Sequence, residues 1–110
     1  MMTTISYGNE HSTELEVGGR SAIVMDANVG RVMYERNIHT KLPMASTTKI
    51  MTALLAIENI PLDKKVKIHP EALGIEGSSI YLMANERIKA EDLIYGLMLR
   101  SGNDSAAAIA

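Results

Sequence analysis

Residues 42–57, Leu-Pro-Met-Ala-Ser-Thr-Thr-Lys-Ile-Met-Thr-Ala-Leu-Leu-Ala-Ile, constrain the fold more than any other stretch of the chain. Pro43 has no N–H to donate and clashes with a preceding helical turn, so it marks a boundary. Small polar residues then lead into good helix formers. Ile50, Met51, Leu54, Leu55 and Ile57 recur at three- and four-residue steps. The spacing predicts a helix with one broad apolar face, ending near Glu58-Asn59 ahead of Pro61. Ser46 and Lys49, three apart, share a face of that helix one turn from each other.

A hydroxyl at a helix start reads first as a cap, because its oxygen accepts from free N–H groups. Capping does not account for Lys49. A capping box wants Glu or Gln at that position, and a cation in the first turn meets the positive end of the helix dipole. Chemistry does account for it. A serine hydroxyl is a weak nucleophile until a base takes its proton. A lysine can be that base where burial and a nearby helix N-terminus favour its neutral form. The same helix end offers the Ser46 backbone N–H to a developing oxyanion. Eight serines and six lysines placed at random in 110 residues give about 0.4 such pairs, so the spacing alone is a weak signal.

Composition narrows the alternatives. A chain of 110 residues is one small domain or part of a larger one. There is no cysteine, which excludes disulfides, zinc–thiolate sites and a cysteine nucleophile. His11, His39 and His69 have no ligand spacing, so they are not expected to be metal ligands. Net charge is −2 with no block of one sign, which argues against a nucleic-acid partner. No segment reaches the roughly 18 apolar residues of a membrane span. Glu10, Glu14 and Glu16 interrupt any apolar run near the start, so no signal peptide is read there.

Along the chain, residues 1–19 read as a polar, flexible leader. Residues 20–37 form a hairpin: a β-prone run from Ser21 to Met25, an Asp26–Gly30 turn, and a return strand with Val32 and Tyr34 alternating. The first strand is nearly continuously apolar and is expected to be central. Asp26 is a turn residue. Residues 66–69 alternate as a short strand stopped by Pro70. Residues 78–82 are expected to form another, and Ile88-Lys89 to pair with one of the two. Residues 90–100 are a helix with acids in its first turn and Arg100 in its last. Gly102 is the expected C-cap, and Asn103 or Asp104 caps a further helix. That helix reaches Ala110 after few residues, so the sequence reads as a fragment.

Ser101-Gly102-Asn103 is a second candidate motif. Read plainly it is a helix–helix corner. Read functionally it sets Ser101 and Asn103 opposite Ser46 across a cleft. The Ser101 hydroxyl relays a proton to the leaving group, and the Asn103 amide holds Lys49 and a substrate carbonyl. Ser-x-x-Lys followed by Ser-x-Asn, in this order, is the pattern of serine enzymes that react with penicillin. On residues 21–26, 41–53 and 97–106 the chain resembles the D-alanyl-D-alanine carboxypeptidases. These are the low-molecular-mass penicillin-binding proteins of serine peptidase family S11. Ser-Gly-Asn, rather than Ser-Asp-Asn, favours that branch.

The resemblance implies an α+β fold: the N-terminal part of a β-lactamase/transpeptidase-like domain, with a sheet hairpin, the active-site helix and the start of a helical subdomain. Residues 20–110 would be that partial domain, truncated at its C-terminal end. It implies Ser46 as acylated nucleophile and Lys49 as general base, with Ser101 and Asn103 as the second catalytic element and no metal or organic cofactor. Expected partners are peptidoglycan pentapeptides ending in D-Ala-D-Ala, with β-lactams as inhibitors acylating the same serine. The parent would act at the extracytoplasmic face of the bacterial cell envelope. The family's third element, a Lys-Thr-Gly strand, does not occur in these residues. Loss of one oxyanion donor costs about 10²–10³ in rate, so the fragment alone is expected to turn over little. The unpaired hairpin edge is a route to self-association. The alternatives are a serine β-lactamase or esterase of the same fold, or a non-catalytic penicillin-binding sensor.

Overall fold

A computed structural model describes residues 15–110. The chain divides into two compact units, Met1–Leu42 and Pro43–Ala110. Most of the expected leader, residues 1–14, lies outside the described residues.

The first unit is built on a hairpin. Strand β1 (Ala22–Met25) pairs antiparallel with β2 (Val32–Arg36), with a register irregularity between Val24 and Met25. Asp26 makes the turn, as its spacing suggests. Its Oδ1 accepts the N–H groups of Asn28 and Val29, and Gly30 takes φ +68°. The apolar content of β1 predicts a central strand, but among the described residues it pairs with β2 alone, and Ile23, Val24 and Met25 are half exposed. The Arg36 guanidinium donates to the Val17 carbonyl at 2.7 Å.

The second unit carries three helices and a two-stranded ribbon. A short 3-10 turn, Ala45–Thr47, leads into α1 (Thr48–Asn59). Strands β3 (Lys65–Lys67) and β4 (Arg87–Lys89) pair antiparallel, with Val66 opposite Ile88. Helix α2 (Ala90–Leu99) follows β4 directly, and α3 (Asn103–Ile109) follows α2. Ile68, Ala72, Leu82 and Leu93 form the centre of the core, flanked by Val66, Ile80 and Ile88.

Four local expectations are corrected. The segment 78–82 joins no sheet, and Tyr81 within it takes φ +60°. Its Ile80 and Leu82 N–H groups go to the Asp104 carboxylate instead of a neighbouring strand. The left-handed residue after α2 is Ser101, at φ +54°, while Gly102 sits at φ −62°. Neither Asn103 nor Asp104 caps α3, since both lie inside its first turn. On α1 the buried residues are Ala53 and Ala56, whereas the large apolar residues that define its periodicity are about half exposed.

Candidate active site

Pro43 ends the extended approach to α1, and Ala45 at φ +47° turns the chain into the 3-10 segment. Ser46 therefore sits just ahead of α1 rather than within it, exposed, while Lys49 lies half-buried in the first α-helical turn. The hydroxyl of Thr47 donates to the Met44 carbonyl, so it braces the turn and caps no N–H.

Across from this turn, the α2–α3 corner presents Ser101 and Asn103. The four side chains form one hydrogen-bonded path. Ser101 Oγ donates to Ser46 Oγ at 3.0 Å. Lys49 Nζ donates to Ser101 Oγ at 3.0 Å, to the Ser101 carbonyl at 2.9 Å and to Asn103 Oδ1 at 2.6 Å. Ser101 thus stands between nucleophile candidate and base candidate, where the sequence reading has Lys49 act on Ser46 directly. Two non-glycine residues at this junction, Ala45 and Ser101, occupy the left-handed region, each at a cost of about 1–2 kcal/mol. Strain of this kind persists where surrounding contacts over-determine the backbone.

The path has two proton arrangements. An ammonium has three donors, and Lys49 faces three acceptors, which leaves the Ser101 proton to point at Ser46. With a neutral amine the order reverses: Ser46 O–H donates to Ser101, and Ser101 O–H donates to the Lys49 lone pair. The two arrangements differ by one proton on Lys49 and by the direction in which each hydroxyl points.

Asn103 is held at its other end as well. Its Nδ2 donates to the Glu76 carbonyl at 2.6 Å, and its backbone N–H to the Ser78 carbonyl at 2.7 Å. Gly77 lies between those two carbonyls at φ +101°, and a Cβ there would fall 2.6 Å from Asn103 Nδ2. Only glycine leaves room for that approach.

Behind Asn103, Asp104 is 3% exposed. Its carboxylate accepts from Ser79 Oγ at 2.7 Å and from the N–H groups of Ile80, Leu82 and Ser105. Burial pushes this carboxyl up. The hydrogen bonds from Ser79, Ile80, Leu82 and Ser105 outweigh that and hold it below the ordinary carboxylate range. Asp104 fastens the 79–82 segment to α3, and the neighbouring 76–78 carbonyls engage Asn103. Sequence reasoning gave Asp104 only a cap. Its signal was a carboxylate next to a candidate motif residue, without the capping spacing.

Among the described residues no cluster of three or more metal-ligating side chains occurs. The cavity of about 310 Å³ lined by Ala56, Ile60, Val66, Leu93 and Ile94 contains none of the four path residues. The candidate site is therefore an open surface around Ser46 rather than this cavity.

The peptidase S11 family model, described as D-alanyl-D-alanine carboxypeptidase, matches residues 8–110. The chain is 33% identical over 106 residues to the D-alanyl-D-alanine carboxypeptidase DacF of Bacillus subtilis, covering 92% of this chain and 27% of that protein. Among solved structures, the D-alanyl-D-alanine carboxypeptidase DacD of Francisella tularensis superposes with TM-score 0.79 at 30% identity, covering 86% of this chain and 24% of that one. A point variant of a Streptomyces DD-transpeptidase gives TM-score 0.80 at 31% identity, covering 88% of this chain and 40% of that one. The mixed helix-and-strand fold expected from the sequence is that of these neighbours. The chain spans about a quarter of the length of the Bacillus subtilis relative.

Proposed function

The chain belongs to the peptidase S11 family, the D-alanyl-D-alanine carboxypeptidases, and from that membership we propose that it carries the nucleophile and the proton-handling residues of a serine-type enzyme releasing terminal D-Ala from peptidoglycan stem peptides. The observation that supports this reading best is the unbroken path Ser46 Oγ, Ser101 Oγ, Lys49 Nζ, Asn103 Oδ1. A path of this kind suits general-base activation of a hydroxyl, worth about 10²–10⁴ in rate.

In the proposed reaction Ser46 Oγ bonds to the carbonyl carbon of the penultimate D-Ala. Its proton passes through Ser101 Oγ to the neutral Lys49 amine. The Ser46 backbone N–H is one oxyanion donor, and Asn103 Nδ2 can turn from the Glu76 carbonyl to a substrate carbonyl. As the tetrahedral adduct collapses, the C–N bond breaks and the proton returns through Ser101 to the departing D-Ala amine. Water then attacks the Ser46 ester along the same proton path and frees the acid. A β-lactam would acylate Ser46 likewise, with its ring nitrogen as the leaving atom still tethered to the adduct. The proposed place of action is the extracytoplasmic face of the bacterial cell envelope.

The second reading differs only in the acceptor. The Streptomyces neighbour is a DD-transpeptidase; in that reading an amine, not water, takes the acyl group from Ser46. Product analysis separates the two.

Because 110 residues correspond to 27% of the Bacillus subtilis relative, the polypeptide by itself is proposed to turn over little. The test therefore uses a chimera in which residues 20–110 replace the matching segment of that relative. Incubation with penicillin and peptide mapping by mass spectrometry should find the adduct on Ser46, with none in Ser46→Ala. An adduct on another residue, or one that survives Ser46→Ala, refutes the assignment.

A further inference from the structure

Strands β3 and β4 gather charge that the linear sequence disperses. In their antiparallel register Lys65 lies opposite Lys89, and Lys67 lies opposite Arg87. Directly paired residues share a face and alternate residues take opposite faces. All four cations therefore stand on one side, and all are exposed. Val66 and Ile88, between them, turn to the core. Strand rise and cross-strand spacing put the four at the corners of a rectangle about 5 by 7 Å. Lys64 adds a fifth cation at the end of the ribbon.

Fold stability gives no reason for this arrangement. Like charges directly opposite one another weaken a ribbon. Among the described residues the only ion pair within 4.0 Å joins His69 and Glu71, so the four cations have no acidic partner at that range. Asp63 and Glu86 are neighbours in sequence, but the Glu86 carboxylate is engaged by the Met83 N–H. No residue of the two strands is acidic: β3 is Lys-Val-Lys and β4 is Arg-Ile-Lys.

We propose that the Lys65, Lys67, Arg87, Lys89 face is a contact surface for anionic phospholipid headgroups. The two-by-two array distinguishes this partner from a linear polyanion. A bilayer offers anions in two dimensions, whereas a single phosphodiester strand offers one row. Neither β3 (Lys-Val-Lys) nor β4 (Arg-Ile-Lys) carries an aromatic ring on which a base would stack. Each cation held near such a surface strengthens binding about fivefold, and clusters of four or more give measurable attachment. The inference does not depend on the chemistry assigned to Ser46.

Co-sedimentation of the whole 110-residue chain with lipid vesicles tests it. Vesicles of phosphatidylcholine are compared with vesicles containing phosphatidylglycerol. The expected result is binding to the anionic vesicles only, falling steeply as salt rises from about 20 to about 200 mM and the screening length shrinks. Binding should weaken on the order of 25-fold in Lys67→Gln/Arg87→Gln. That variant should also melt higher than the unaltered chain, because a repulsive cross-strand pair is gone. The salt titration reads the unaltered chain, so it decides even if the variant misfolds. Equal binding to neutral vesicles, salt-independent binding, or full binding by a folded variant overturns the proposal. A DNA strand that displaces the vesicles at equal charge concentration also overturns it, in favour of a linear polyanion.

Discussion

Asp104 keeps a full charge while almost wholly buried, because Ser79, Ile80, Leu82 and Ser105 all donate to it. Asp104→Asn removes a charged acceptor and sets an amide against backbone donors. It should cost about 1.5–3 kcal/mol at neutral pH, read by urea denaturation. The sign of the pH dependence follows from the lowered carboxyl pKa. A depressed folded-state pKa gives stability that is present above the unfolded value, about 4, and is lost as pH falls through the folded one. The gap between the parent chain and Asp104→Asn should therefore be constant above about pH 5 and close in stronger acid. A gap that widens toward acid would contradict the hydrogen-bonded carboxylate. Gly77→Ala should destabilise by about 1–3 kcal/mol, since it joins positive φ to a clash with Asn103 Nδ2. The Asn103 side-chain amide signals in an NMR spectrum should shift with it. Local spacing and residue type singled out Ser46, Lys49, Ser101 and Asn103 in the sequence, and the fold brings their side chains into one hydrogen-bonded path. The work of Asp104 and Gly77 was not legible. Apart from Ser105, their partners lie 22–26 positions away, and only the folded chain brings them together.

Among the elements, α1 shows what periodicity can and cannot say. Apolar residues at three- and four-residue steps located the helix and its end near Asn59. They did not identify the face that packs among the described residues. Ala53 and Ala56 are buried, at 6% and 3% exposure, because small side chains let α1 approach its neighbours closely. Ala53→Leu should accordingly cost about 1–3 kcal/mol by overpacking, while Leu54→Ser, at a half-exposed position, should stay within about 0.5 kcal/mol. Thermal denaturation of the two variants in the 110-residue chain checks the contrast, and a larger loss at Leu54 would contradict it. The 78–82 segment fails differently. A short strand was expected there, yet a side-chain carboxylate competes for the backbone N–H groups that a sheet partner would take. The sequence left Ile88-Lys89 to pair with either 66–69 or 78–82; the structure pairs it with β3, where Val66 and Ile88 face each other and pack on the core.

At the scale of the whole molecule, the proposed nucleophile and proton path lie within Pro43–Ala110, and the match covers 27% of the Bacillus subtilis relative and 24% of the Francisella tularensis structure. The 110-residue polypeptide alone should release D-Ala from a pentapeptide at under about a hundredth of the chimera's rate, the deficit expected when at least one oxyanion donor is missing. Release at a comparable rate would show that these residues suffice. The family was legible because two short motifs fall in the right order after the right elements. The position of Ser101 Oγ between Ser46 and Lys49 was not, since a spacing of three suggests direct contact between those two. Whether Ser101 carries the proton is best measured by the second-order rate of Ser46 acylation by a fluorescent penicillin, in the chimera and in its Ser101→Ala, Lys49→Ala and doubly substituted forms. A relay requires both single variants to lose about 10²–10⁴ and the double variant to be little worse than either. Acylation of Ser101→Ala at nearly the unaltered rate would mean that Lys49 reaches Ser46 by another route, and the path described for this site would be wrong.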